Sequence, residues 1–186
     1  MAKALVPLAD GFEEIEAVTV IDVLRRGGVE VVTASVHDRL EVMGAHGLLL
    51  KADRQFDEAQ KGLVEAIVLP GGSACAETFK QFEPLHERLR RQREEDRLVC
   101  AICASPIVLE TAGVLGEGVE VTCYPTCQGD LERPWVPAPV VVDGNVITGQ
   151  APGTALLFAL VVLQALAGER VARKVAQGMV TNVLDA

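Results

Sequence analysis

The stretch from Leu98 to Leu109 holds the residue best placed to act as a nucleophile. An apolar run ends at Cys103; Ala104 and Ser105 follow, then Pro106 and a second apolar run with helical spacing. That order predicts a strand, a sharp turn and a helix with proline in its first turn. A thiol at such a corner is lifted out of the strand and faces the amino end of a helix. Free amides and the helix dipole there favour the thiolate. This is the logic of a nucleophile elbow, with Cys in place of Ser and Ala in place of Gly. The alternative is an inert buried cysteine, since free Cys is among the most buried residue types.

Glu16 is the most informative residue after Cys103. On a helical wheel over 13–26 the polar arc holds Thr19, Asp22 and Arg26, and Glu16 falls outside it, beside Val20 and Val23. A carboxyl on a core-facing stripe is paired, protonated or used. Burial raises its pKa, and a neutral Glu can donate a hydrogen bond to a thiolate or move a proton. A carboxylate that bends out to water or caps its own helix is the alternative. Pro70-Gly71-Gly72-Ser73 ends a buried strand and presents bare amides; beside Cys103, these and the amide of Ala104 would form an oxyanion hole. Alone, Pro-Gly-Gly is a common turn.

Other chemistries are less well supported. None of His37, His46 and His86 falls at a strand end with Cys103, so a Cys-His dyad has no support. Cys100 and Cys103 have C-x-x-C spacing, but Cys100 lies inside the strand and the two face opposite ways. Cys123 and Cys127 lack histidine company for zinc; a place near the site as resolving thiols is open to them.

The elements that position these residues read as α/β. Strands are predicted at 4–8, 29–34, 66–69, 98–103 and 119–123, with hairpins at 40–50 and 140–148. Helices are predicted at 13–26, 74–79, 84–95, to about 111, 154–166 with Thr154 as cap, and from 169; 56–61 is a short helix or loop. The segment from Pro125 to Pro139 contains four prolines and reads as irregular surface. The expected fold is a doubly wound, mostly parallel sheet with helices on both faces, and ligands at the carboxyl ends of its strands.

At 186 residues, one domain spanning 1–186 is expected. The net charge of −9 and the lack of a basic patch argue against nucleic acid as partner. No secretory signal is evident, and the longest apolar run, 155–163, is too short for a bilayer. The odd count of five cysteines fits reduced thiols and an intracellular, cytoplasmic protein.

Four pieces carry a resemblance over nearly the whole chain. They are Leu8-Ala9-Asp10-Gly11-Phe12-Glu13-Glu14-Ile15-Glu16, Val68-Leu69-Pro70-Gly71-Gly72, Ala101-Ile102-Cys103-Ala104 and Pro152-Gly153-Thr154. In order and spacing the chain resembles the ThiJ/PfpI superfamily, in the branch of the Parkinson's-disease-associated protein and YajL. The resemblance implies a flavodoxin-like fold and a homodimer, with Cys103 as the reactive cysteine and Glu16 as its acid. It places oxyanion amides at Gly71, Gly72 and Ala104. Arg26 matches an anion-binding basic position. His46 stands where a relative has an arginine supplied by the other subunit, and Tyr124 stands where some glyoxalase members have His.

The implied activity is that of a glyoxalase or deglycase. Its substrates are α-oxoaldehydes or their early glycation adducts, and it needs no metal or organic cofactor. The alternative is a peroxide-responsive redox sensor or protective chaperone with little turnover. Ala104 occupies the position where the peptidase branch has His, which argues against peptidase activity. An old family label, thiazole monophosphate biosynthesis, finds no support in these residues.

Overall fold

Ala4 through Leu8 carry no polar side chain, as suits a strand covered on both faces. In the computed structural model, which describes residues 1–184, they belong to interior strand β1 (Lys3–Leu8). The sheet runs β5 (Arg54–Gln55), β2 (Glu30–Ser35), β1, β6 (Ala66–Leu69), β7 (Leu98–Ile102), β9 (Val146–Gly149), β8 (Val140–Asp143). All neighbours are parallel except β8 and β9, which form the predicted terminal hairpin. A separate antiparallel hairpin joins β3 (Glu41–Met43) to β4 (Leu49–Lys51).

Crossover handedness sets the layers. The connection from β1 through α1 (Glu14–Arg26) to β2 steps one way along the sheet. The connection from β6 through α3 (Ser73–Gln81) and α4 (Glu83–Glu94) to β7 steps the other way. Right-handed crossovers therefore put α1 and the α3/α4 pair on opposite faces. Helix α6 (Ala155–Ala167) packs on α1 and on α7 (Glu169–Gly178), while α5 (Pro106–Thr111) packs with α3 and α4. A short α2 (Phe56–Ala59) covers β2. This is the expected flavodoxin-like architecture. Its strand order reverses between β1 and β6, so the ligand crevice of such a sheet falls at their carboxyl ends.

Two local expectations change, and one element leaves no mark in the sequence. Residues 119–123 do not form a strand: only Val121 bridges, to Trp135. The place beside β7 is taken by β9, and Thr122 bonds instead to the Thr148 hydroxyl (2.9 Å). Thr154 stands at the start of α6 but does not cap it; its hydroxyl turns back to the Ala151 carbonyl (2.9 Å). Edge strand β5 was too short to leave a periodic signal; Asp53 fixes it by accepting from the Thr33 amide (2.9 Å) and hydroxyl (2.8 Å).

Gly72 is the tightest backbone junction of the crevice. Its φ is +100°, and a Cβ there would collide with the Gly11 carbonyl oxygen. Gly113 has φ +70° but open space around it. In chemical denaturation, Gly113→Ala should cost about 1 kcal/mol from backbone strain alone. Gly72→Ala should cost more than about 3 kcal/mol, because strain and overlap act together. Equal costs would contradict this packing.

Candidate functional site

The loops after β1, β6 and β7 converge at the reversal point. After β1, Glu13 precedes α1 and caps it: its Oε2 accepts from the Glu16 amide at 2.8 Å. The capping alternative considered for Glu16 is thus filled by Glu13. The first turn points Glu16 inward, with no exposed surface. After β6, the Gly71 amide donates to Glu16 Oε2 at 2.8 Å. No Cβ could stand at Gly71, because Glu16 and Cys103 occupy the space.

After β7, Cys103 has φ +65°, a left-handed conformation at a non-glycine residue. Such a strained corner is what an elbow requires. It is held by Cys103 N–H to the Gly149 carbonyl (3.0 Å) and by the Tyr124 amide to the Cys103 carbonyl (2.8 Å). The Ser105 hydroxyl donates to the Pro70 carbonyl at 2.5 Å, tying the elbow to the Gly71 loop. Ser105 read in the sequence only as a small neighbour; its tie depends on a residue 35 positions away.

The Cys103 side chain lies beside the Glu16 carboxyl, with the amides of Gly72 and Ala104 near the sulfur. Burial raises Glu16 to about 7, against the pull of Cys103 and Gly71. Burial and the Glu16 charge push Cys103 up to about 12, with the Gly72 and Ala104 amides pulling down. The amides at the corner pull in the direction expected of an elbow, but α5 has only six residues, and burial beside a carboxylate pushes the other way. Each charge opposes the other in this pocket. One negative charge sits on oxygen or on sulfur, and the thiolate requires the proton to be on Glu16.

Gly71 also changes role. Its amide is committed to Glu16, leaving Gly72 and Ala104 facing the sulfur. A cavity of about 280 Å³ opens over Cys103, lined also by Glu13, His46, Gly72, Tyr124 and Cys127. Tyr124 is 40% exposed, and Cys127 does reach the cavity. His46 arrives there from the β3–β4 hairpin of the same chain. It makes no hydrogen bond to Cys103; its Nδ1 lies 2.8 Å from Glu14 Oε2, and that carboxylate raises its pKa. Sequence spacing shows no sign of this approach; only the resemblance put His46 near the site. Arg26 does not join the group within the chain: it lies about 15 Å along α1 from Glu16, pairs with Asp22 (2.6 Å) and lines a separate cleft with Arg170 and Lys174. Cys100 is fully buried, and all five cysteines are free.

Residues 2–165 match the model of the DJ-1/PfpI family. The chain belongs to that family. It is 43% identical over 168 residues to Protein DJ-1 homolog B of Arabidopsis thaliana, covering 89% of this chain and 38% of that protein. The chain thus spans about two fifths of the length of the Arabidopsis relatives it matches. It is 35% identical over 154 residues to a Thermococcus kodakarensis protein named Deglycase TK1284, covering 81% of this chain and 91% of that one. The crystal structure of Drosophila melanogaster DJ-1beta superposes with a TM-score of 0.94 at 34% identity, covering 97% of this chain and 98% of the other. Among the described residues no helix is long and apolar enough to cross a membrane.

The raised pKa of Glu16 has a consequence for stability. The folded state holds the Glu16 proton up to about pH 7, the unfolded chain only to about 4.5. This group therefore destabilises the fold progressively as pH rises through that window, by up to about 3 kcal/mol. Urea denaturation of chelator-treated protein should show that loss in the wild type and its absence in Glu16→Gln. The same slope in both proteins would contradict the assignment.

Proposed function

We propose that this protein is a cysteine-dependent enzyme acting on α-oxoaldehydes or their early adducts with amines and thiols. The observation that carries this reading is the placement of Cys103 directly beside the buried Glu16 carboxyl at the edge of a small cavity, with two backbone amides near the sulfur. The thiolate, formed as Glu16 takes the proton, attacks the aldehyde carbon and gives a hemithioacetal. The Gly72 and Ala104 amides hold the developing oxyanion. Glu16 gives its proton to that oxyanion; the regenerated carboxylate then removes the proton from the same carbon and returns it to the neighbouring one, while the hydroxyl proton passes to the second carbonyl oxygen. The product is a thioester, and water cleaves it to a 2-hydroxy acid and free Cys103. Tyr124 orients the second carbonyl through its hydroxyl. Methylglyoxal plus water thus gives lactate, with no redox partner.

The relative named a deglycase supports the same class. A second copy of the chain is the expected partner. Ile15 and Val18 of α1 and Met43, Leu48 and Leu49 of the β3–β4 hairpin are exposed apolar residues that suit a homodimer face.

Lactate formation from methylglyoxal tests the reading. The wild type should turn over, Cys103→Ser should fall to background, and Glu16→Gln should lose about 10²- to 10⁴-fold in kcat. A wild type without turnover, or a fully active Glu16→Gln, would overturn it.

The amides at the sulfur also favour a second role, peroxide sensing, because they would hold a sulfinate as well as an oxyanion. Substoichiometric peroxide should then add two oxygens at Cys103 first. Peptide mass spectra with Cys100 or Cys123 oxidised earlier would contradict that role.

A further inference from the structure

A second set of donors lies beside the Cys103–Glu16 pair and takes no part in the chemistry above. A carboxylate oxygen of Glu13, one of Glu14 and a ring nitrogen of His46 all lie within 4.8 Å of one another. We propose that these three residues form a binding site for a divalent d-block cation of the Zn²⁺ class, on the wall of the Cys103 cavity. The site is independent of the aldehyde chemistry.

The donor set is one imidazole and two carboxylates, a combination that suits zinc with one position left open. Donor atoms of a tetrahedral zinc site stand about 3.3 Å apart. His46 Nδ1 and Glu14 Oε2 are already 2.8 Å apart, and the third donor lies within 4.8 Å, so rotations of about an ångström complete the set. The ligands are also held in place from behind. Glu14 Oε1 accepts from the amides of His46 (2.6 Å) and Leu48 (3.4 Å). Glu13 Oε2 accepts from the Glu16 amide (2.8 Å). Outer-shell bonds of this kind fix the ligands of metal sites.

Charge balance points the same way. Glu13 is only 8% exposed, and among the described residues it makes no ion pair. Two carboxylates therefore face a single imidazole. A cation would settle that excess charge where solvent reaches Glu13 least. Glu13 and His46 also line a neighbouring cavity of about 410 Å³, with Glu14, Ile15 and Leu48. The ion would stand on the wall of the Cys103 cavity, its open position available to a small oxygen ligand from that side.

The test is calorimetric titration of the chelator-treated protein with Zn²⁺. One ion per chain is expected. His46→Ala removes an exposed side chain and should weaken binding about tenfold or more. Cys103→Ser and Cys127→Ser should bind as the wild type does. Thermal melts of each variant without metal report whether the fold is intact. Co²⁺ in place of Zn²⁺ should show no thiolate-to-metal absorption. Failure of the wild type to bind, an unchanged affinity in a folded His46→Ala, or loss of binding in Cys103→Ser would overturn the proposal.

Discussion

Two acidic groups, Glu16 and Cys103, meet at the bottom of one cavity, and only one of them can be ionised at a time. Glu16 has no exposed surface and one hydrogen bond from backbone, from Gly71. Its other oxygen is buried without a hydrogen-bond partner. The sulfur faces two amides. The surroundings hold the charge in one small volume and favour oxygen over sulfur as its resting home. A proton that moves between oxygen and sulfur converts a resting thiol into a nucleophile and its neighbour into an acid, without change in net charge.

Much of the local fold serves to keep that pair together. The strand order reverses between β1 and β6, which leaves a crevice where the loops carrying Glu16 and Gly71 end. β7 delivers Cys103 in the adjoining position, in register with β6 from Leu98 to Ala101. Gly71 and Gly72 let these loops approach closer than any side chain would permit. Glu13 caps α1 and so fixes the first turn, whose inward face is Glu16. Ser105 joins the elbow to the Pro70 carbonyl. The strain at Cys103 persists because backbone bonds on both sides hold the residue there.

Strands β1, β2, β6 and β7, helices α1, α3 and α4, and the separate candidacies of Cys103 and Glu16 were legible in the sequence. Each leaves a local signature: a run of buried strand residues, a wheel with one misplaced carboxyl, a small-residue corner before a proline. What escaped depends on contacts between distant segments. The alternation at 119–123 is strand-like, but β9 already occupies the neighbouring edge. His46 reaches the cavity only because the β3–β4 hairpin folds over the α1 amino end, where Ala45 N–H bonds to the Phe12 carbonyl (2.8 Å). The diversion of the Gly71 amide to Glu16 and the cost of burying a thiol beside a carboxylate are three-dimensional facts of the same kind. Arg26 shows the converse. A motif match put it near an anion, whereas the straight course of α1 carries it away from Cys103 within the chain.

The most direct measurement is the joint titration of both members of the pair. Difference infrared spectra of wild type against Glu16→Gln report the neutral carboxyl of Glu16, and ultraviolet absorbance of wild type against Cys103→Ser reports the thiolate. Over the neutral and mildly alkaline range, the fraction of molecules with a Cys103 thiolate should equal or fall below the fraction with protonated Glu16 at every pH. A thiolate population that coexists with a fully ionised Glu16 would show two anions side by side, and would contradict the proton sharing on which the account rests.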